Sequence, residues 1–354
     1  MTSCRNKNVF RLLMDWAAVI ALAASIAVFG IINKEAFFSL TNAVNILRSM
    51  SITTIFAISA TITMASDGFD MSACTLATFS SYIFASSFLW FGLPLWLSIV
   101  VTVFFTLVLY LLTMFLILIC RIPDMLATCA LMFVHQGLGL WWTGGGAVSA
   151  GMPTSWGAAP VRSGWTDAFL SIGREPWCIL IMLFCVAFTF VFLRYTRHGR
   201  CLYAIGGNRT AAAFSGIPVR KYRFAAGMIT AVFIAIGAIV VCSRNSAAQI
   251  SGCDNYLMPS LAAVFVGRSV GGAEKPNAIG TMVGAALVAV LENGLTQAGV
   301  VYYVLPAMKG GVLVLALVAA YATRQNGRRS FRLRDRGDRI AVQTGTEREE
   351  RAVH

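Results

Sequence analysis

The chain alternates long apolar runs with short polar stretches. Trp16 to Ile32, Met71 to Trp90, Leu95 to Cys120, Trp177 to Leu193 and Phe224 to Cys242 carry no charged residue at all. A helix needs about 20 mostly apolar residues to cross a bilayer, because only a closed helical hydrogen-bond ladder satisfies the backbone in hydrocarbon. The pattern predicts spans at residues 16–33, 49–66, 71–90, 95–120, 125–142, 177–193, 224–242, 256–267, 278–299 and 303–322. The fold class is therefore all-α, a polytopic membrane protein of about ten transmembrane helices with both termini cytoplasmic. The stretch 256–267 is short for a crossing and is expected to be tilted, thinned or broken.

Basic residues near span ends collect on the cytoplasmic side. Alternating sides from an inside N-terminus sorts them. Arg121, Arg194, Arg197, Arg200, Arg209, Arg220, Lys221, Arg223, Arg268 and Lys275 fall inside, while Lys34, Arg48, Arg162, Arg174 and Arg244 fall outside. If 256–267 did not cross, the arginine-rich C-terminal stretch would lie outside, so the charge bias argues that it does. The organisation is an N-terminal cytoplasmic segment, 1–15, then a membrane domain, 16–323, then a basic tail, 324–354, expected to be disordered inside the cell. Residues 143–176 form a long outside loop and 194–223 a long basic inside loop. The basic start before the first apolar run imitates a signal peptide but lacks a small-residue cleavage site, and reads as an uncleaved first span.

Composition agrees with this picture. Hydrophobic residues make up 58% and charged residues 12% of the 354-residue chain, against about 25% charged in soluble domains. The net charge of +13 does not imply nucleic acid, because the excess sits in flanks and tail where anionic lipid attracts it. The nine cysteines form no CxxC pair and mostly sit in apolar runs, as small core residues do. No metal site is expected. His135, alone in the fifth run, reads as a hydrogen-bonded packing residue. No Gly-x-x-x-x-Gly-Lys-Ser/Thr occurs, so any ATP and magnesium belong to another subunit and this chain carries no cofactor.

The inside loop carries the densest signal. Gly206-Gly207-Asn208 reads as a turn, and Asn208 caps a short helix built on Ala211, Ala212 and Ala213. Gly216 ends that helix and Pro218 prevents its renewal. A slim capped helix on the inner face suits docking into a groove of another protein, and a charge at Ala212 is expected to block it. Further on, Asp67 and Asp70 flank Gly68 at the inner end of the second span; the segment is either a solvated turn or functional charge at membrane depth. Gly280, Gly284 and Ala285 form a small-residue face for close helix packing. Glu292 and Lys309 fall at similar depth on the last two spans, and pair if neither reaches an interface alone.

In order along residues 37–321, these pieces resemble the ribose-type permeases of bacterial ABC importers, whose relatives carry other simple sugars and autoinducer-2. Gly206, Gly207, Asn208, Ala211, Ala212, Ser215, Gly216 and Ile217 match the family's coupling helix; Gly68, Asp70 and Ser72 match its Gly-Ile-Asp-Leu-Ser motif; Asn42, Gly280, Thr281 and Asn293-Gly294-Leu295 match elsewhere. Two departures stand out. Ala73-Cys74 replace Val-Gly, and Gly267 to Pro276 replaces a small-residue loop. The resemblance implies a multi-pass protein of the bacterial inner membrane. It implies three protein partners: an ABC ATPase contacting the coupling helix, a periplasmic solute-binding protein, and a second permease subunit. The pathway would run along the interface of the two permeases, near Gly68, Asp70 and Ser72. The alternative is a secondary transporter or channel working without an ATPase. It has few intramembrane charges to use and leaves the capped inside helix unexplained. An intramembrane enzyme would need a nucleophile–base set that the sequence does not show.

Overall fold

The computed structural model describes residues 16–270 and 275–299, together with 304, 307, 310 and 311. The expected tenth span, the N-terminal segment, the tail and Lys309 lie outside the described residues.

The apolar runs become helices α1 (Ala17–Ile32), α2 (Lys34–Phe37), α3 (Leu40–Ala65), α4 (Ala73–Ala85), α5 (Leu95–Leu118) and α6 (Asp124–Thr143), then α7 (Asp167–Ile172), α8 (Trp177–Tyr195), α9 (Arg197–Gly207), α10 (Arg209–Phe214), α11 (Val219–Asn245), α12 (Leu257–Gly267) and α13 (Ala278–Gln297). A π-helical turn, Ser86–Trp90, prolongs α4. Strands β1 (Val148–Ser149) and β2 (Ala247–Ala248) pair antiparallel, with Val148 opposite Ala248. Among the described residues seven helices are long and apolar enough to cross a membrane, and α1 is a shorter apolar helix.

Helix starts follow local rules. Ser39 Oγ accepts from Asn42 N at α3, and Asn277 accepts from Gly280 N at α13. Proline precedes α5, α6, α8 and α11, where its missing N–H costs nothing. The layering separates two kinds of helix. Every residue from Ala73 to Trp90 is buried, whereas α5, α6 and α8 expose most of their apolar surface, as lipid-facing helices do. The core groups α3 with α8, α11, α12 and α13, and α4 with α5, α6 and α11. Hydroxyl pairs tie these helices where lipid offers no hydrophobic drive: Thr61–Thr281 at 2.7 Å, Thr63–Thr230 at 2.9 Å and Ser80–Thr106 at 2.7 Å. The small-residue face on α13 packs within the subunit. A Cβ on Gly284 would collide with the Ala263 carbonyl of α12.

The two ends of the bundle divide the charges as the pattern predicts. Asp67, Asp124, Arg209 and Arg223 gather at one end, called the inner end below. Arg48, Arg162 and Glu175 lie at the other, where Arg48 pairs with Glu175. There the loop after α6 folds over α4. Arg162 donates to the Gly92 carbonyl and lies 4.5 Å above the Phe88 ring, and Trp165 packs at a tilt against Phe169, with ring centres 4.6 Å apart.

The stretch expected at 256–267 is one short, continuous helix preceded by irregular chain. The chain leaves β2 at the outer end and runs irregularly to a 3-10 turn, Asp254–Tyr256, before α12 completes the descent. The 11 residues of α12 span roughly 16 Å, about half the hydrocarbon thickness.

Candidate functional site

The inner end is built around the turn after α3. Asp67 adopts φ +58° and turns the chain. Its side chain stays exposed, whereas Asp70 is buried. Asp70 Oδ1 accepts from the Ser72 backbone N–H and hydroxyl, both at 2.8 Å, and Oδ2 accepts from Tyr110 at 3.0 Å. Burial pushes the Asp70 carboxyl up from its ordinary value, and the hydrogen bonds from Ser72 and Tyr110 pull the other way. Asp70 therefore holds the start of α4 against α5. It also lines a small recess with Thr63, Phe69, Tyr110, Asp124 and Arg223.

The inside loop contains two helices where one was expected. Thr196 caps α9 by accepting from Gly199 N at 3.1 Å. Gly206 and Gly207, which suit a turn by sequence, are the last residues of α9. Gly206 is where this helix passes closest to α3: a Cβ there would meet the Ala65 carbonyl. Asn208 is the cap the sequence indicated, accepting from Thr210 N and Ala211 N at 3.0 Å each. Helix α10 then ends as expected, with Gly216 at φ +80° and Ile217 N donating to the Ala212 carbonyl at 3.1 Å.

One sequence-derived expectation is corrected here. Ala212 faces the protein and is 4% exposed, so it is not the docking surface. The surface presented by α10 and its cap is Ala211, Ala213, Phe214 and Ser215, with Phe214 88% exposed. Periodicity could not tell which alanine faced inward, because the segment offered one helical turn and no polar contrast.

Ion pairs fasten this loop to the bundle. Arg209 reaches Asp67 at 3.2 Å and Asp124 at 3.7 Å, and Asp124 also pairs with Arg223. Four charges from the α3–α4 turn, α6, α10 and α11 thus meet at one point. Asp124 and Arg223, 99 positions apart, did not stand out in the sequence as site residues. Their only local sign was a charge at the first turn of each helix. Gly68, Asp70 and Ser72 come together with this cluster. Glu292 lies half-buried on α13, away from it, and the Glu292–Lys309 pairing falls outside the described residues.

Two side chains depart from what the sequence led one to expect. Neither ring nitrogen of His135, fully buried on α6, has a hydrogen-bond partner among the described residues. Cys120, expected in the core, is exposed.

Residues 42–321 match the family described as "Branched-chain amino acid transport system / permease component". The ribose import permease protein RbsC of Haemophilus influenzae is 29% identical over 319 residues, 89% of this chain and 95% of its own length. RbsC of Escherichia coli K12 is 27% identical over 314 residues, 86% of this chain and 93% of its own. The xylose transport system permease protein XylH of H. influenzae is 25% identical over 357 residues, covering 86% and 95%. No solved structure matches the chain. The seven long apolar helices fit a multi-pass membrane protein, and the relatives are transport subunits, not enzymes. With the match covering the bundle from α3 onward, the chain belongs to the branched-chain amino acid transport system permease family of ABC importers.

Proposed function

We propose that this chain is the membrane-spanning permease subunit of a binding-protein-dependent importer that moves a simple sugar across the bacterial inner membrane. A separate ABC ATPase hydrolyses the ATP. The observation that carries the reading is α10. It is capped by Asn208, fastened to three other segments through Arg209 and Asp124, and exposed along most of its length, with Ala212 facing inward. Phe214 is thereby linked through the ion pairs of Arg209 to the turn before α4 and to α6. The ribose and xylose relatives support the sugar class. In this reading a loaded periplasmic binding protein docks on the outer end, and a second permease subunit, identical or homologous, completes the pathway. Ten spans, with both termini in the cytoplasm, complete the topology.

Phe214→Glu tests the docking surface. It should insert in normal amounts, lose ATPase co-purification, and lower sugar uptake at least tenfold. Full ATPase recovery with normal uptake overturns the assignment. Sidedness has its own test. An impermeant thiol reagent applied to whole cells should label a cysteine placed at position 162 and spare one at 209.

A further inference from the structure

Residues 194–223 carry seven basic side chains and no acidic one. The structure sorts these seven into two groups. Arg209 and Arg223 are held by Asp67 and Asp124. Arg194, Arg197, Arg200, Arg220 and Lys221 are exposed, and none of them pairs with a carboxylate among the described residues.

Helix α8 sets where the exposed group lies. Leu180, Phe184, Phe188, Val191 and Tyr195 recur every three or four residues along it and are all exposed, so one face of α8 looks at acyl chains. The stripe ends in a tyrosine, whose ring is apolar with a polar tip and suits the headgroup level. The Arg194 guanidinium lies 5.5 Å from the centre of the Phe190 ring and 6.0 Å from that of Tyr195. Arg200 reaches back from α9 and donates to the Tyr195 carbonyl at 3.3 Å. Two guanidinium groups therefore flank the residue at which the lipid-facing stripe meets the inner interface. Helix α9 buries Leu202 and Ile205 against the bundle and leaves Arg197, His198 and Arg200 exposed. Its first turn meets that of α11, with the His198 and Tyr222 rings 5.6 Å apart, and Arg220 and Lys221 stand exposed there.

The geometry points to this corner, between the end of α8 and the first turns of α9 and α11, as a binding site for an anionic phospholipid, its headgroup phosphate on Arg194 and Arg200 and its acyl chains along the α8 stripe. A guanidinium offers paired donors that match phosphate oxygens, and it is less tightly hydrated than an ammonium. The cations continue an acyl-facing stripe, so one molecule with a charged head and apolar tails meets both surfaces. An acidic soluble protein would meet the charges and leave the stripe uncovered. The ATPase-facing surface proposed above is a different one: Ala211, Ala213, Phe214 and Ser215 of α10 are uncharged.

The test uses the full chain with its ATPase, in vesicles of phosphatidylcholine and phosphatidylglycerol in equal parts. The complex is extracted in mild detergent, and the lipids it retains are counted by native mass spectrometry. Wild type should retain phosphatidylglycerol over phosphatidylcholine at least fivefold. Each basic residue at an anionic surface contributes about fivefold to affinity. The triple change Arg194→Gln, Arg197→Gln, Arg200→Gln should therefore lose most of the excess, with ATPase co-purification within twofold of wild type. The same three positions changed to Lys should keep at least half of it. Arg328→Gln, Arg329→Gln and Arg332→Gln together remove as much charge from the tail and should leave the ratio within twofold. Equal retention of the two lipids by wild type overturns the assignment. So does an equal loss in the tail triple, which would mean binding by net charge alone. Both measurements stand without a folded loop variant. A glutamine triple that keeps its phosphatidylglycerol and loses the ATPase gives the corner to the partner protein and also overturns it. Release of the retained lipid by millimolar inorganic phosphate would mean a small-anion site open to water, with the same consequence.

Discussion

The inner-end cluster and the polar groups around His135 on α6 are both polar islands in an apolar protein, yet they are built oppositely. At the inner end the polar groups find each other. Arg209 and Arg223 share Asp124, and Ser72 and Tyr110 saturate Asp70. Around His135, Thr78 is satisfied by Asp254, while the buried His135 ring has no partner among the described residues. Partnered polar groups hold helices in place. Unpartnered ones cost stability.

That contrast predicts a graded series of effects on stability. The largest belongs to Asp124→Ala. It strands Arg223, whose side chain is 11% exposed, and removing one partner of a buried pair costs about 3–5 kcal/mol. Thermal unfolding in detergent should show the loss, and Asp124→Met with Arg223→Met should recover much of it. A loss confined to a few tenths of a kcal/mol in the single variant would mean the cluster is solvated, and the comparison would fail. Tyr110→Phe comes next. It removes one bond to a buried carboxylate at about 2 kcal/mol, read by the same melting experiment, with ATPase co-purification unchanged. Gly216→Ala forces an L side chain into φ +80°, with no neighbour within 4 Å to clash, so the cost should be only about 1 kcal/mol. His135→Leu sits at the bottom of the series. Its melting temperature should equal or exceed that of wild type, because an unpaired polar ring gives way to an apolar side chain. A marked drop would place His135 with the partnered groups and erase the distinction.

The coupling helix shows how far local rules reach. Asn208 as cap and Gly216 as stop were legible because capping is a contest among neighbours within one turn. Gly206 and Gly207 were not, since a glycine pair suits a turn until a neighbouring helix demands close approach. The short helix α12 was half legible. Its shortness showed in the apolar count, but the irregular stretch before it is tied to Thr78 of α4, 175 residues away.

By itself, then, the sequence determined the all-α membrane class, the long apolar helices and the order of the capped helix in the loop. These follow from hydrocarbon thickness and nearest-neighbour hydrogen bonding, which act along the chain. Only the tertiary structure decided that Ala212 faces inward, that Asp124 serves two arginines, and that His135 is buried without a partner among the described residues. Each of those depends on which helix comes to lie beside which, and packing between distant segments leaves no local trace in composition or periodicity.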